Sequence, residues 1–157
     1  MSILNSLFAP ASEKRASLGL LLFRLVTGAA LMLHGSTKIV HPFTWMPHSS
    51  VPAFLQCASA VAEFGGGLAL ILGLLTPLAC ILIAINMLVA ITTVHLAHGD
   101  PWVGHKGSFE SALGYLASAV LLLLTGPGKF SLDRAFVCNK LDSVCAHSRK
   151  VRPEAWV

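Results

Sequence analysis

Arg24, His34, Lys38, Glu63, Asn86, His95 and Glu110 are the residues of this chain that set reactive side chains among apolar neighbours. Arginine, lysine and glutamate form ion pairs or hold a polar ligand. Asparagine donates and accepts, and histidine titrates near neutral pH, binds metal or donates to a carbonyl. In a long apolar segment an ionisable group is costly unless a partner or water answers it, so each of these residues marks an inward face. Arg24, Gly28, Leu31, Gly35 and Lys38 recur at helical spacing along one face, with His34 beside them. Gln56, Ser59, Glu63 and Gly66 form a second stripe, Asn86, Ala90, Thr93 and Ala97 a third, and Glu110, Gly114 and Ala117 a fourth.

Depth follows from the rise along a helix. At ~1.5 Å per residue, Arg24 lies roughly 10 Å from the inner end of its helix, Asn86 roughly 13 Å and Glu63 roughly 18 Å. A long arginine bridges that difference, so a buried Arg24–Glu63 pair with Asn86 nearby is expected. Lys38, His34, His95 and Glu110 fall near the outer ends and make a second polar layer, with Lys38–Glu110 as its ion pair. Two readings of the buried pair stay open: it fixes helix register and partner choice, or it serves a ligand or a proton. The outer layer leans towards function because of its histidines.

Those residues need elements to hold them. The chain has 157 residues, enough for one domain; 55% are hydrophobic and 11% charged, with mean hydropathy +0.74. A soluble domain is nearer a quarter charged. Between Ala16 and Gly128 the only charges are Arg24, Lys38, Glu63, Asp100, Lys106 and Glu110. This excludes a disordered chain, a nucleic-acid module and a disulfide-rich secreted scaffold. A helix spans a bilayer with about 20 apolar residues. Four segments qualify, over about 18–39, 52–75, 77–98 and 108–125, and Gly126-Pro127-Gly128 stops the last. The expected fold is therefore all-α: a polytopic membrane protein, an antiparallel bundle of four transmembrane helices. Residues 1–17 precede the 18–128 membrane domain and 129–157 follow it as a polar tail. The second and third helices must form a tight hairpin, because only Thr76 and Pro77 interrupt the apolar run after Leu75.

An even number of spans puts both termini on one side. That side carries Lys14, Arg15, Lys129, Arg134, Lys140, Arg149, Lys150 and Arg152; the other carries Lys38 and Lys106. The positive-inside rule then makes both termini cytoplasmic, with Val40–Val51 and Gly99–Gly107 outward. Lys14 and Arg15 before an apolar run also fit a signal peptide, but Arg24 interrupts that run and the rest of the chain is membranous, so retention is expected. His34, His41, His48, His95, His98 and His105 gather at the outer ends and loops. His95 and His98 share a helix face, which makes them the weak candidates for a metal, although no tight His/Cys/Asp signature accompanies them. Cys57 and Cys80 read as small hydrophobes; Cys138 and Cys145 lie in the tail, and no Cys-x-x-Cys is present. Gly65-Gly66-Gly67 is a packing surface rather than a phosphate cradle.

In order and spacing these residues resemble the DoxX family of small bacterial membrane proteins, over about Leu18 to Arg134. The elements are Arg24 with Gly28, His34-Gly35 with Lys38, Glu63 with Gly65-Gly66, Gly73 before Thr76-Pro77, Asn86-Met87, His95, Gly107, Glu110, Gly126-Pro127-Gly128 and Ser131-Leu132-Asp133. The resemblance implies a four-helix protein of the bacterial inner (plasma) membrane in redox company. Similar proteins are small subunits of thiosulfate:quinone oxidoreductases, or accompany a superoxide dismutase and thiol oxidation in a membrane complex. The leading expectation is a redox-associated subunit binding a quinone-like or other apolar ligand within the bundle. The chain carries no haem, flavin or iron–sulfur signature, so electrons would pass through a membrane or peripheral redox protein or a diffusible reductant. The alternatives are a structural or assembly subunit of an oxidoreductase complex, and a small transporter or metal-handling protein, which would need a homo-oligomer.

Overall fold

A computed structural model describes residues 12–47, 51–104 and 107–136. Helix α1 is Glu13–Val40, α2 is Ala53–Leu72, α3 is Thr76–His98 and α4 is Glu110–Thr125. By length and composition the first three are able to cross a membrane; α4 is a shorter apolar helix of 16 residues. No strand occurs among the described residues.

Local chemistry sets the ends. Ser12 caps α1 by accepting from the Arg15 N–H, with Glu13 in the first turn and Lys38 in the last, the polarity that the helix dipole favours. The helix thus starts five residues before the expected Leu18. α2 stops at Gly73, which adopts the left-handed conformation at φ 63°. Its N–H returns to the Leu70 carbonyl and that of Leu74 to Ala69, the double bond of a glycine-terminated helix. The hairpin turn is therefore Gly73–Leu75, and Leu75 is itself left-handed at φ 49°. α3 ends in the same way at Gly99, with the Asp100 N–H bonded back to the His95 carbonyl.

Two stretches depart from α geometry: Val61–Gly65 in α2 and Ala90–His95 in α3 are π-helical. Thr92 and Thr93 hydroxyls donate to the Leu88 and Val89 carbonyls beside the second, where the ordinary ladder is interrupted. Such bulges turn the following residues by about 100° relative to a regular helix.

α1 packs antiparallel on α2, α2 on α3, and α3 on α4. The first contact is backbone to backbone: a Cβ on Gly28 would lie 2.6 Å from the Gly67 carbonyl oxygen, and one on Gly35 2.6 Å from the Phe64 nitrogen. Small residues permit this approach, which is how helices associate where no hydrophobic effect separates them from lipid. The buried apolar cluster includes Leu31, Leu70, Cys80, Ile83, Met87 and Leu122. Outward, Val26, Leu33 and Leu124 are over 70% exposed, whereas Arg24 and Glu63 are buried. Apolar outside and charged inside is the arrangement of a protein solvated by hydrocarbon.

Candidate functional site

The register of α1 against α2 decides which charges meet. Gly73 lies against Arg24, Gly67 against Gly28, and Glu63 with Phe64 against Gly35. Glu63 is thus opposite a residue eleven positions beyond Arg24, about 16 Å further along α1. The expected Arg24–Glu63 pair does not form. Depth measured from each helix end assumed a common origin; α1 instead begins well before the level of the α2–α3 turn.

Arg24 is fully buried and donates to two carbonyls of the segment after α4: Pro127 through Nη1 and Phe130 through Nη2, the latter at 2.7 Å. Its guanidinium packs against Gly73, where a Cβ would fall 2.6 Å from Nη1. The same segment sends Asp133 to the head of α3. Its carboxylate oxygens accept from the Leu75 N–H at 2.6 Å and the Thr76 N–H at 2.8 Å, and its own N–H bonds the Gly73 carbonyl. Asp133 is an N-cap supplied from 57 residues beyond Thr76 in sequence. Arg24 and Asp133 hold the 126–133 segment across the hairpin end, so Arg24 stands apart from the other candidates.

The second polar cluster lies towards the other end. Lys38 Nζ meets Glu63 Oε1 at 2.6 Å, and Asn86 Nδ2 donates to the same oxygen at 3.1 Å. The expected neighbourhood of Glu63 and Asn86 is present, with Lys38 as the cation. The expected Lys38–Glu110 pair is absent: Glu110 is exposed in the first turn of α4, where its charge suits the helix N-terminus. Lys38 also lies 4.6 Å from the centre of the Trp45 ring, a cation–π contact. Trp45 is fixed in turn: its Nε1 donates to the Gln56 carbonyl, while the Gln56 side chain accepts from the Met46 N–H and donates to the Val51 carbonyl.

A cavity of ≈ 150 Å³ opens beside Glu63, lined among others by His34, Lys38, His95, Ser111 and Tyr115. His34 and Tyr115 meet edge to face with centroids 5.6 Å apart, joining α1 to α4. His95 reaches the cavity because of the π-helical stretch. In a regular helix it would sit about 80° from Met87; the bulge brings the two into line. Its Nδ1 is 2.7 Å from Asp100 Oδ2. His98 Nδ1 is instead 2.6 Å from the Val94 carbonyl, and its side chain is exposed. The described residues contain no group of three or more His, Cys, Asp or Glu able to hold a metal ion. His48, His105, Cys138 and Cys145 lie outside the described residues; Cys57 and Cys80 are free thiols.

The chemical feature of the site is an asymmetric carboxylate. Glu63 is 5% exposed, Oε1 is doubly bonded to donors, and Oε2 is buried with no partner. A buried acceptor left open costs about 1–3 kcal/mol, and such atoms recur where a ligand or water belongs. At ~30 Å³ per molecule, the cavity holds about five waters. Sequence reasoning missed Trp45, Tyr115 and Asp100. Asp100 follows the helix-ending Gly99, five residues after His95, a pattern legible only once the turn is known. Trp45 sits in a loop without periodicity, and Tyr115 on a helix read for its small residues.

Comparison with known proteins agrees with this architecture. The DoxX family model matches residues 19–96. The Bacillus subtilis (strain 168) protein named "Putative oxidoreductase CatD" is 30% identical over 124 residues, covering 77% of this chain and 89% of its own. The membrane protein Rv3486 of Mycobacterium tuberculosis is 31% identical over 125 residues, 71% of this chain and 77% of its own. The inner membrane protein YqjF of Escherichia coli (strain K12) is 30% identical over 126 residues, 78% of this chain and 95% of its own. No solved structure matches. With a shared family model, relatives aligned over most of their length and the expected helical membrane architecture, the chain belongs to the DoxX family.

Proposed function

We propose that this DoxX-family membrane protein is a redox-associated subunit whose Glu63 cavity binds the polar edge of a quinone-like ligand. The observation that carries the reading is the buried Glu63 Oε2 left without a partner, in a residue that lines a small cavity of an apolar bundle. An open carboxylate oxygen accepts from a ligand hydroxyl. Lys38 and Asn86 hold Oε1, so the side chain is oriented before the ligand arrives. At ≈ 150 Å³ the cavity is smaller than the ~300–1,000 Å³ that encloses a drug-sized molecule. It admits one edge of a ring, and the rest of the ligand lies in the bilayer. Electrons pass to a partner redox protein. The name of the Bacillus relative supports redox company.

The loops of residues 40–51 and 99–107 then face outward and both termini the cytoplasm, from the eight-to-two excess of positive charge on the terminal side. Thiol labelling of single cysteines in intact cells tests this: one placed at Thr44 labels from outside, one at Lys14 does not.

Thermal unfolding of the purified protein with a short-chain quinol tests the binding. At a concentration 100-fold above Kd the ligand stabilises by about 2.7 kcal/mol. Wild type shifts and Glu63→Gln does not. No quinone in the lipid extract of the purified protein, together with no shift on addition, rejects the reading. The assembly reading keeps one supporting observation: Gly114 on α4 has open space where a Cβ would stand. Under it, Glu63→Gln lowers recovery of a co-purifying complex and leaves quinol binding unchanged.

A further inference from the structure

We infer that His95 and Asp100 form a proton outlet that connects Glu63 with water beside Asp100. The inference rests on the reading of Glu63 as the ligand-facing acceptor and adds what becomes of the proton it receives. A buried carboxylate that takes a proton works once; repeated use needs a route away. The cavity supplies the first part of that route, since Glu63 and His95 line the same space and it is large enough for a short file of water. The second part is the dyad. His95 and Asp100 side chains are 25% and 27% exposed, against 7% for Glu63, so the pair lies between the buried carboxylate and solvent.

The geometry also sets the imidazole. With Nδ1 2.7 Å from Asp100 Oδ2, the N–H sits on Nδ1 and Nε2 carries the free lone pair. A carboxylate that fixes a histidine tautomer in this way leaves the opposite nitrogen ready to accept. Asp100 is itself anchored, because its N–H bonds the His95 carbonyl and its carboxylate lies against Gly107, where a Cβ would be 3.1 Å from Oδ1. The π-helical turn that brings His95 to the cavity is thus the element that links the two ends.

The steps balance as follows. A ligand O–H gives its proton to Glu63 Oε2. Glu63 passes it to a cavity water, and that water protonates His95 at Nε2. Asp100 holds the resulting imidazolium through its Nδ1–H, and Nε2 then loses the proton to water on the solvent side, which restores the starting tautomer. One proton enters and one leaves, and no residue changes redox state. The other titratable groups around the cavity are His34 and Lys38 from α1 and Tyr115 from α4. Lys38 is committed to Glu63 and Trp45, and His34 rests on the Tyr115 ring.

Trp45 reports the proton on Glu63, because its ring contacts the lysine that the carboxylate holds. The test uses the full chain in proteoliposomes, with Trp102 and Trp156 replaced by Phe, and a rapid acid jump on the outer side without any quinol. Wild type gives a fluorescence transient that Glu63→Gln abolishes. His95→Phe slows it about 10²-fold, the usual scale for loss of a positioned proton-transfer group, and Asp100→Asn slows it in the same direction. His98→Gln, at an exposed histidine outside the cavity, leaves it unchanged. Circular dichroism selects folded variants; should His95→Phe fail there, His95→Gln replaces it. A transient equally fast in His95 and Asp100 variants overturns the outlet, as does one that His98→Gln slows equally. Neither result depends on quinol binding, so failure of the outlet is distinguishable from failure of the ligand reading.

Discussion

Lys38→Met removes the cation from the Glu63 site while keeping an unbranched side chain of similar length. Breaking a fully buried ion pair by deleting one partner costs about 3–5 kcal/mol, because the remaining charge is stranded. Here the Glu63 side chain is 7% exposed and that of Lys38 22%, so part of the interaction is screened by water. The cation–π contact with Trp45 adds about 0.5–1 kcal/mol. A destabilisation of about 2–3 kcal/mol follows. Glu63→Gln costs less, about 1–2 kcal/mol, since the freed lysine reaches solvent and Asn86 still finds an oxygen. In the double variant nothing charged is stranded, and the cycle shows a coupling of about 2 kcal/mol, a factor of roughly 30 in the unfolding constant. Reversible unfolding in mixed micelles, titrated with a denaturing detergent, reads all four proteins. Arg24→Gln with Glu63→Gln is the control: the two sites are about 16 Å apart along α1 and should be additive within ~0.5 kcal/mol. Additivity for Lys38 and Glu63, or coupling between Arg24 and Glu63, would refute the register on which the site stands.

Asp133→Ala should destabilise by about 1–2 kcal/mol by removing the acceptor for the Leu75 and Thr76 N–H groups, and Asp133→Asn should recover part of this in the same unfolding assay. Gly35→Ala places a methyl 2.6 Å from the Phe64 nitrogen and should cost about 1–3 kcal/mol, whereas Gly19→Ala meets nothing and should gain up to ~1 kcal/mol from helix propensity. Trp45→Phe keeps the ring but loses the hydrogen bond to the Gln56 carbonyl; a loss of about 1 kcal/mol is expected, with little change in quinol affinity by titration calorimetry.

The helices were legible because hydropathy and chain punctuation act locally. Gly99 and Gly126 follow the expected ends of the third and fourth runs, the second stops at Gly73 rather than at the expected Leu75, and the four apolar stretches needed no tertiary information. Arg24, Lys38 and Glu63 were legible as inward-facing, and Glu63 with Asn86 as neighbours, because lipid leaves such groups no other place, whereas the expected inward stripe of Glu110, Gly114 and Ala117 lies exposed on α4. Their pairing was not. It depends on how far α1 slides along α2, and that is set by where Gly28 meets Gly67, a contact between backbones that leaves no mark in residue types. Arg24 was misassigned for that reason, its true partners being carbonyls, which the sequence does not distinguish. His95 was legible as a member of the polar layer, but its pairing with Asp100 was hidden because it forms across the Gly99 turn that ends α3, and no propensity scale marks the π-helical stretch before it.

The brevity of α4 bears on the membrane itself. Sixteen residues rise about 24 Å, some 6 Å less than the hydrocarbon thickness of a typical bilayer. A span this short is met by thinning of the adjacent bilayer, by snorkelling of flanking side chains or by association with another helix, and the side chains nearest that mismatch include Ser111 and Tyr115, the flank of the cavity. Acyl-chain length becomes a control variable for this protein: thinner membranes relieve the mismatch, and thicker ones bury the flank more deeply.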